Sequence, residues 1–183
     1  MIAFRKPFWL LCIISIVCIS CMGEADPRLQ KLDALDAKLA KVDSLYQPVD
    51  ADTARIRAYF NNAVKSLKFV QNNYTDTMPL DLAVFLSDYR ADRKLLGWTA
   101  KTAHSCAVDM TYARKQIANL RTDIENNKLD DSKFEEYYAT EAGSIEELLT
   151  LVTDLNGKWQ KAISRYEERN PRVQELVNEL GGF

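Results

Sequence analysis

Residues 82–124 read LAVFLSDYRADRKLLGWTAKTAHSCAVDMTYARKQIANLRTDI. In this stretch Leu82, Tyr89, Leu96, Ala103, Met110, Ile117 and Ile124 fall at seven-residue intervals. Between them stand Phe85, Asp92, Thr99, Cys106, Ala113 and Leu120. Steps of three and four residues keep side chains on one face of an α-helix. A repeat sustained over so many turns predicts a long helix that packs along a coiled-coil-like seam. The middle of the seam is thin. Asp92 and Thr99 are polar, and Ala100, Ala103, Cys106 and Ala107 are small, which lets a neighbouring helix approach closely. Gly97 costs about 1 kcal/mol against Ala in a helix, so a kink is expected there.

The same alternation runs on both sides of this stretch. Asp26-Pro27 reads as an N-cap followed by an N1 proline. Leu32, Leu35, Leu39, Val42 and Tyr46 then step by three and four. Pro48 is expected to interrupt, because proline disfavours helix in the residue before it. A second piece restarts near Asp50 or Asp52, with Ile56, Phe60, Ala63, Leu67, Val70 and Tyr74 on its stripe. Met78-Pro79 opens the central leg. Beyond it, Ser132 and Glu135 have capping-box spacing, and Phe134 and Tyr138 begin another seam. Ile145, Leu148, Val152, Leu155, Trp159, Ala162 and Tyr166 continue it. Gly143 and Pro171 are expected breaks. Val173, Leu176, Val177 and Leu180 make a last amphipathic piece that Gly181-Gly182 stops.

No run alternates apolar and polar residues as a strand would. Residues 27–74, 79–127 and 131–180 form three nearly equal legs, each about 70 Å long at the rise of an α-helix. The expected fold is all-α: an elongated antiparallel bundle of three long legs, some of them broken. The alternative is a compact four- or five-helix bundle with Gly97 as a corner.

The N-terminus says where the chain is expected to live. Arg5 and Lys6 precede an apolar run, FWLLCIISIVCI from Phe8 to Ile19, with Ser15 its one polar residue. It is too short for a comfortable span, which takes roughly 17–25 residues. It has the length of a signal-peptide core behind a basic head. Ser20 then stands directly before Cys21, and the sequence turns polar at Gly23-Glu24-Ala25-Asp26. This resembles the lipobox of bacterial lipoproteins, with Cys18 where that family usually has an aliphatic residue. The resemblance covers the first 21 residues. It implies cleavage before Cys21 and a diacylglyceryl group on its thiol, and several acyl chains anchor stably. Met22 in place of Asp implies the outer membrane rather than retention at the inner one. The organisation expected is therefore a signal peptide over 1–20, a lipidated cysteine and short tether over 21–26, and one helical-bundle domain over 27–183.

The mature chain would hold 22 basic and 26 acidic residues, a net charge of −4. A mildly acidic, mixed surface has no electrostatic footprint for nucleic acid. Of the four cysteines, Cys12 and Cys18 would leave with the signal and Cys21 would be acylated, so Cys106 remains unpaired and packing must supply the stability. Cys18 and Cys21 have redox or haem spacing, but Met22 follows where a haem motif needs His. The one histidine, His104, has Ala100, Lys101, Ala107 and Val108 as its helical neighbours, none a partner ligand, so no metal is expected. Cys106 sits among alanines on a seam, where a free cysteine behaves as a small hydrophobe. Glu135-Glu136, Glu146-Glu147 and Glu167-Glu168 diverge around a helix and read as solvated faces. There is no G-x-S-x-G, Walker or dinucleotide pattern.

These readings exclude the recognisable enzyme classes and require no cofactor. The function expected is a non-enzymatic interaction or structural module of the cell envelope, held by Cys21, with an envelope protein as partner and self-association left open. The alternative is a bundle that binds a small apolar or aromatic ligand near Trp98 and Trp159. Candidate contact residues are Trp98, Trp159, Tyr59 and Tyr137.

Overall fold

In a computed structural model of the protein, residues 26–182 are described. Cys21 and the signal-like segment lie outside them. Three α-helices account for nearly all of this length: α1 (Pro27–Asn73), α2 (Leu80–Glu125) and α3 (Asp131–Glu179). The described residues contain no strand. The long three-legged layout is therefore the one observed, and the compact four- or five-helix alternative is not.

Cross-helix pairs give the directions. Arg28 meets Asp131, Lys31 meets Glu135, Lys38 meets Glu146, and Gln174 meets Ser66. Residue numbers rise together, so α1 and α3 run parallel. Arg121 reaches Asp33 and Asp36, Arg114 pairs with Asp43, and Tyr46 meets Ala103. Those numbers run in opposition, so α2 is antiparallel to α1. Pairs of Arg172 with Asp81 and Arg169 with Asp92 show that α2 is antiparallel to α3 as well. The chain goes up, down and up, and all three helices pack on one another.

The ends follow local chemistry. Asp26 Oδ1 accepts from the Arg28 backbone N–H at 2.9 Å, with Pro27 at N1. Asp130 caps α3 by accepting from the Lys133 N–H. The expected Ser132–Glu135 box does not form, because Asp130, two residues earlier, takes the N-cap and Glu135 is drawn to Lys31 instead. At the end of α2, Asn127 takes φ of 53° while Asn127 and Lys128 donate back to Ile124 and Asp123. Gly181 and Gly182 repeat that αL closure on α3, donating to Asn178 and Val177. Both are Schellman closures, which use up orphan carbonyls.

The expected breaks do not occur. Pro48, Gly143 and Pro171 all lie inside continuous helices. Each is exposed, so the carbonyls that the prolines leave unpaired, those of Ser44 and Glu167, lie on faces that water can reach. Val49 directly after Pro48, and Val173 just after Pro171, are fully buried. The apolar stripe thus passes both prolines without a step, and burial on either side holds the helix through them.

Gly97 is no corner either. α2 passes straight through it as helix, and a Cβ built there would stand 2.8 Å from Phe60 Cε2. The missing side chain makes room for a ring from α1. The rest of the thin centre is filled in the same way. Tyr46 from α1 is buried, and its hydroxyl donates to the Ala103 carbonyl at 2.9 Å. From Tyr89 to Ile124 the seam of α2 is buried as its spacing predicts. At its start, Leu86 is buried while Leu82 and Phe85 are half-buried. A straight helix drifts against a strict seven-residue repeat, and at this end Leu82 and Phe85 turn partly out while Leu86 turns in.

Candidate functional site

Three polar side chains lie on the buried stripes: Ser66, Asp92 and Thr99. The Thr99 hydroxyl donates to the Leu95 carbonyl of its own helix at 2.8 Å. The other two belong to a polar layer that crosses all three helices. Arg169 Nη1 reaches Asp92 Oδ2 at 2.5 Å, and Arg165 approaches Oδ1 at 3.7 Å. Tyr89 donates to Asn170 Oδ1, and the Gln174 amide donates to both Asn170 and Ser66. Asn62 donates to the Tyr166 hydroxyl at 2.6 Å. The layer stands next to a small apolar cluster of Val70, Leu86, Leu176 and Val177. Burial pushes the hydroxyls of Tyr89 and Tyr166 above the ordinary tyrosine range, so both stay neutral at physiological pH, Tyr89 donating to Asn170 and Tyr166 accepting from Asn62.

A buried and connected layer of this kind fits one alignment of the helices. Sliding α2 against α3 by one turn would strand the Asp92 charge, and sliding α1 would part Ser66 and Asn62 from Gln174 and Tyr166. Its chemistry is positional. Asp92 faces guanidinium groups rather than a second carboxylate, and no histidine or thiol stands in the layer.

The four aromatic candidates do not form one site. Trp98 and Trp159 lie at the same level of the α2–α3 pair, where Lys158 Nζ sits 4.5 Å over the Trp98 ring. Trp159 is buried, and its indole N–H meets no acceptor. The thin centre that could have held a ligand beside them is occupied by Tyr46 and Phe60. Tyr59 belongs to the polar layer: its ring stacks on Tyr166 with centroids 4.2 Å apart, and its hydroxyl donates to Glu167. That hydrogen bond raises its pKa. Tyr137 is exposed near the start of α3, far from the other three.

Cys106 is fully buried, and burial pushes its thiol up to about 11. It is protonated and inaccessible at neutral pH, unlike a nucleophile. His104 is exposed on α2. Among the described residues, no group of three or more His, Cys, Asp or Glu could hold a metal ion, and no helix is long and apolar enough to cross a membrane.

One surface was not foreseen. Between α2 and α3 runs a groove of about 290 Å³, with Tyr112, Leu148 and Leu151 in its wall and Asp109, Glu141 and Glu147 beside them. Tyr112 is 59 % exposed and Val108, one turn earlier, 54 %. Both fall off the seven-residue stripe, and their exposure was readable only as residues left over from it. No protein-family model matches the chain, and comparison with the curated proteins and with the solved structures finds no match.

Proposed function

We propose that this protein is a lipoprotein of the bacterial envelope, held to the outer membrane through acylated Cys21, whose three-helix rod is a non-enzymatic module for binding another envelope protein. The observation that carries the binding half is the contrast between core and surface. The seams are filled by the chain's own side chains, down to Phe60 against Gly97, while Val84, Val108, Tyr112 and Tyr137 remain exposed on the helices. Large apolar side chains on a rod with a complete core suit a partner's surface. The anchoring half rests on Ser20-Cys21 and the apolar run before it. α1 starts at Pro27, so residues 22–26 would be the whole tether. The end of the rod made by the start of α1, the end of α2 and the start of α3 would then stand at the bilayer.

Fractionation of an export-competent bacterium tests the anchor. Wild-type protein is expected in the membrane and Cys21→Ser in the soluble fraction. Equal retention of the two would sink the lipidation claim.

A further inference from the structure

The three seams of the rod are not closed alike. The α1–α2 seam is laced by Arg121 to Asp33 and Asp36, and by Arg114 to Asp43. The α1–α3 seam is laced by Lys31 to Glu135 and Lys38 to Glu146. The α2–α3 seam has such ties only toward the start of α2, where Arg169 and Arg172 meet Asp88, Asp92 and Asp81. Where Asp109–Ala113 runs beside Glu141–Leu151, no ion pair crosses it among the described residues. The groove there has three acids at its edge and neither lysine nor arginine in its lining. Asp109, Glu141 and Glu147 have no cation within ion-pair distance among the described residues. Glu141 is half-buried, and burial alone raises its carboxyl pKa. A second shallow groove continues along α3, sharing Glu147 and Leu151.

We infer that this groove is the seat of a fourth helix: it docks an amphipathic helix of a partner protein whose apolar stripe is flanked by Lys or Arg. The inference rests on the interaction reading above and gives it a surface and a partner chemistry. A three-helix rod leaves a long concave strip between two antiparallel helices, which is where a four-helix bundle places its next member. An apolar face laid into such a strip is a recurring mode of helix recognition. Exposed Tyr112 and half-buried Leu151 offer it apolar contact over a floor that includes Leu148, and exposed Val108 stands one turn from Tyr112 beside it. Asp109, Glu141 and Glu147 select cations at its margins and disfavour an acidic helix. Ion pairs cross the rod's other two seams, and among the described residues none crosses this stretch.

The probe is a synthetic amphipathic peptide with Leu on one face and Lys on the other, carrying a photoreactive leucine. A version with Glu for Lys is the control. Each is titrated into the full-length protein in detergent, and cross-links are mapped by mass spectrometry. The Lys peptide is expected to cross-link within 108–112 and 141–151 and the Glu peptide not to bind. Glu141→Lys with Glu147→Lys is expected to weaken binding roughly tenfold or more, as loss and reversal of exposed pairs implies. Glu135→Lys with Glu136→Lys, away from the groove, is expected to leave binding within about twofold. If the groove double variant does not fold, Tyr112→Ser at its exposed position replaces it, with the same loss expected.

Cross-links scattered over all acidic faces, or binding indifferent to the groove variants, would overturn the inference. So would a concentration-dependent dimer in sedimentation that the groove variants abolish, because the occupant would then be a second copy. A partner recovered from native membranes whose binding ignores the groove variants would remove this surface and leave the interaction reading standing. Recovery of no partner at all would remove both.

Discussion

Phe60 on α1 packs against Gly97 on α2, so close that a Cβ on Gly97 would stand 2.8 Å from Cε2 of the ring. The glycine is a packing device, and two opposing effects meet at it. Gly97→Ala gains about 1 kcal/mol of helix propensity. It also forces the ring, which packs against the core, to move, and overpacking costs about 1–3 kcal/mol. Overpacking is expected to win: the variant should unfold at lower urea, and Phe60→Leu should relieve the loss in the double variant. A higher midpoint for Gly97→Ala alone would show that the ring yields freely.

Asp92 is 0 % exposed and relies on Arg169. Removing the guanidinium leaves a buried carboxylate with only Arg165 nearby. Breaking a buried pair on one side costs about 3–5 kcal/mol. Arg169 is partly exposed and Arg165 compensates in part, so Arg169→Met is expected to cost about 2–3 kcal/mol in chemical denaturation. Asp92→Leu combined with Arg169→Met should recover much of it. A double variant as weak as the single one would mean that the layer does more than neutralise Asp92.

Pro48 is exposed inside an unbroken helix. An interior proline costs about 3 kcal/mol against alanine. Pro48→Ala restores an N–H donor to the Ser44 carbonyl, so it should raise the melting temperature, with a gain of about 1–3 kcal/mol. A lower melting temperature would mean that α1 needs a bend there to follow its neighbours.

Alkali should unfold the protein. Burial raises the pKa of Tyr46, Tyr89 and Tyr166 above the ordinary 10.0, and of Cys106 from 9.0 to about 11. The unfolded chain therefore releases these protons at lower pH than the folded one. Above about pH 9 the folded state holds more protons, and stability falls as pH rises. Urea midpoints taken from pH 7 to 11 should decline over the upper half of that range. Tyrosine ionisation read by absorbance should lag in the folded protein, and the Cys106 thiol should resist labelling until it unfolds. A flat midpoint through pH 11 would contradict the burial of these groups.

The length and number of the helices were legible because their signal is periodic and local. The expected legs 27–74, 79–127 and 131–180 differ from the helices by few residues. The breaks were misread for a physical reason. Proline and glycine rules describe an isolated helix, whereas Pro48 and Pro171 sit on solvent faces of helices whose buried stripes continue past them. Asp92 was visible as a polar residue on a seam, but Arg169 lies 77 residues away and is its partner only once α2 and α3 are antiparallel. The acidic groove was hidden for the same reason: a seam without ion pairs is seen only when the register of all three helices is known. Trp98 and Trp159 stand at one level of the rod, while Tyr59 and Tyr137 stand elsewhere on it.

The most direct test of the account is to cross-link cells lightly, purify the tagged full-length protein from their membranes, and weigh the recovered species. The account predicts a chain that begins at acylated Cys21 and carries one envelope protein in fixed ratio. A solitary chain, or one whose first residue is not an acylated Cys21, would contradict it.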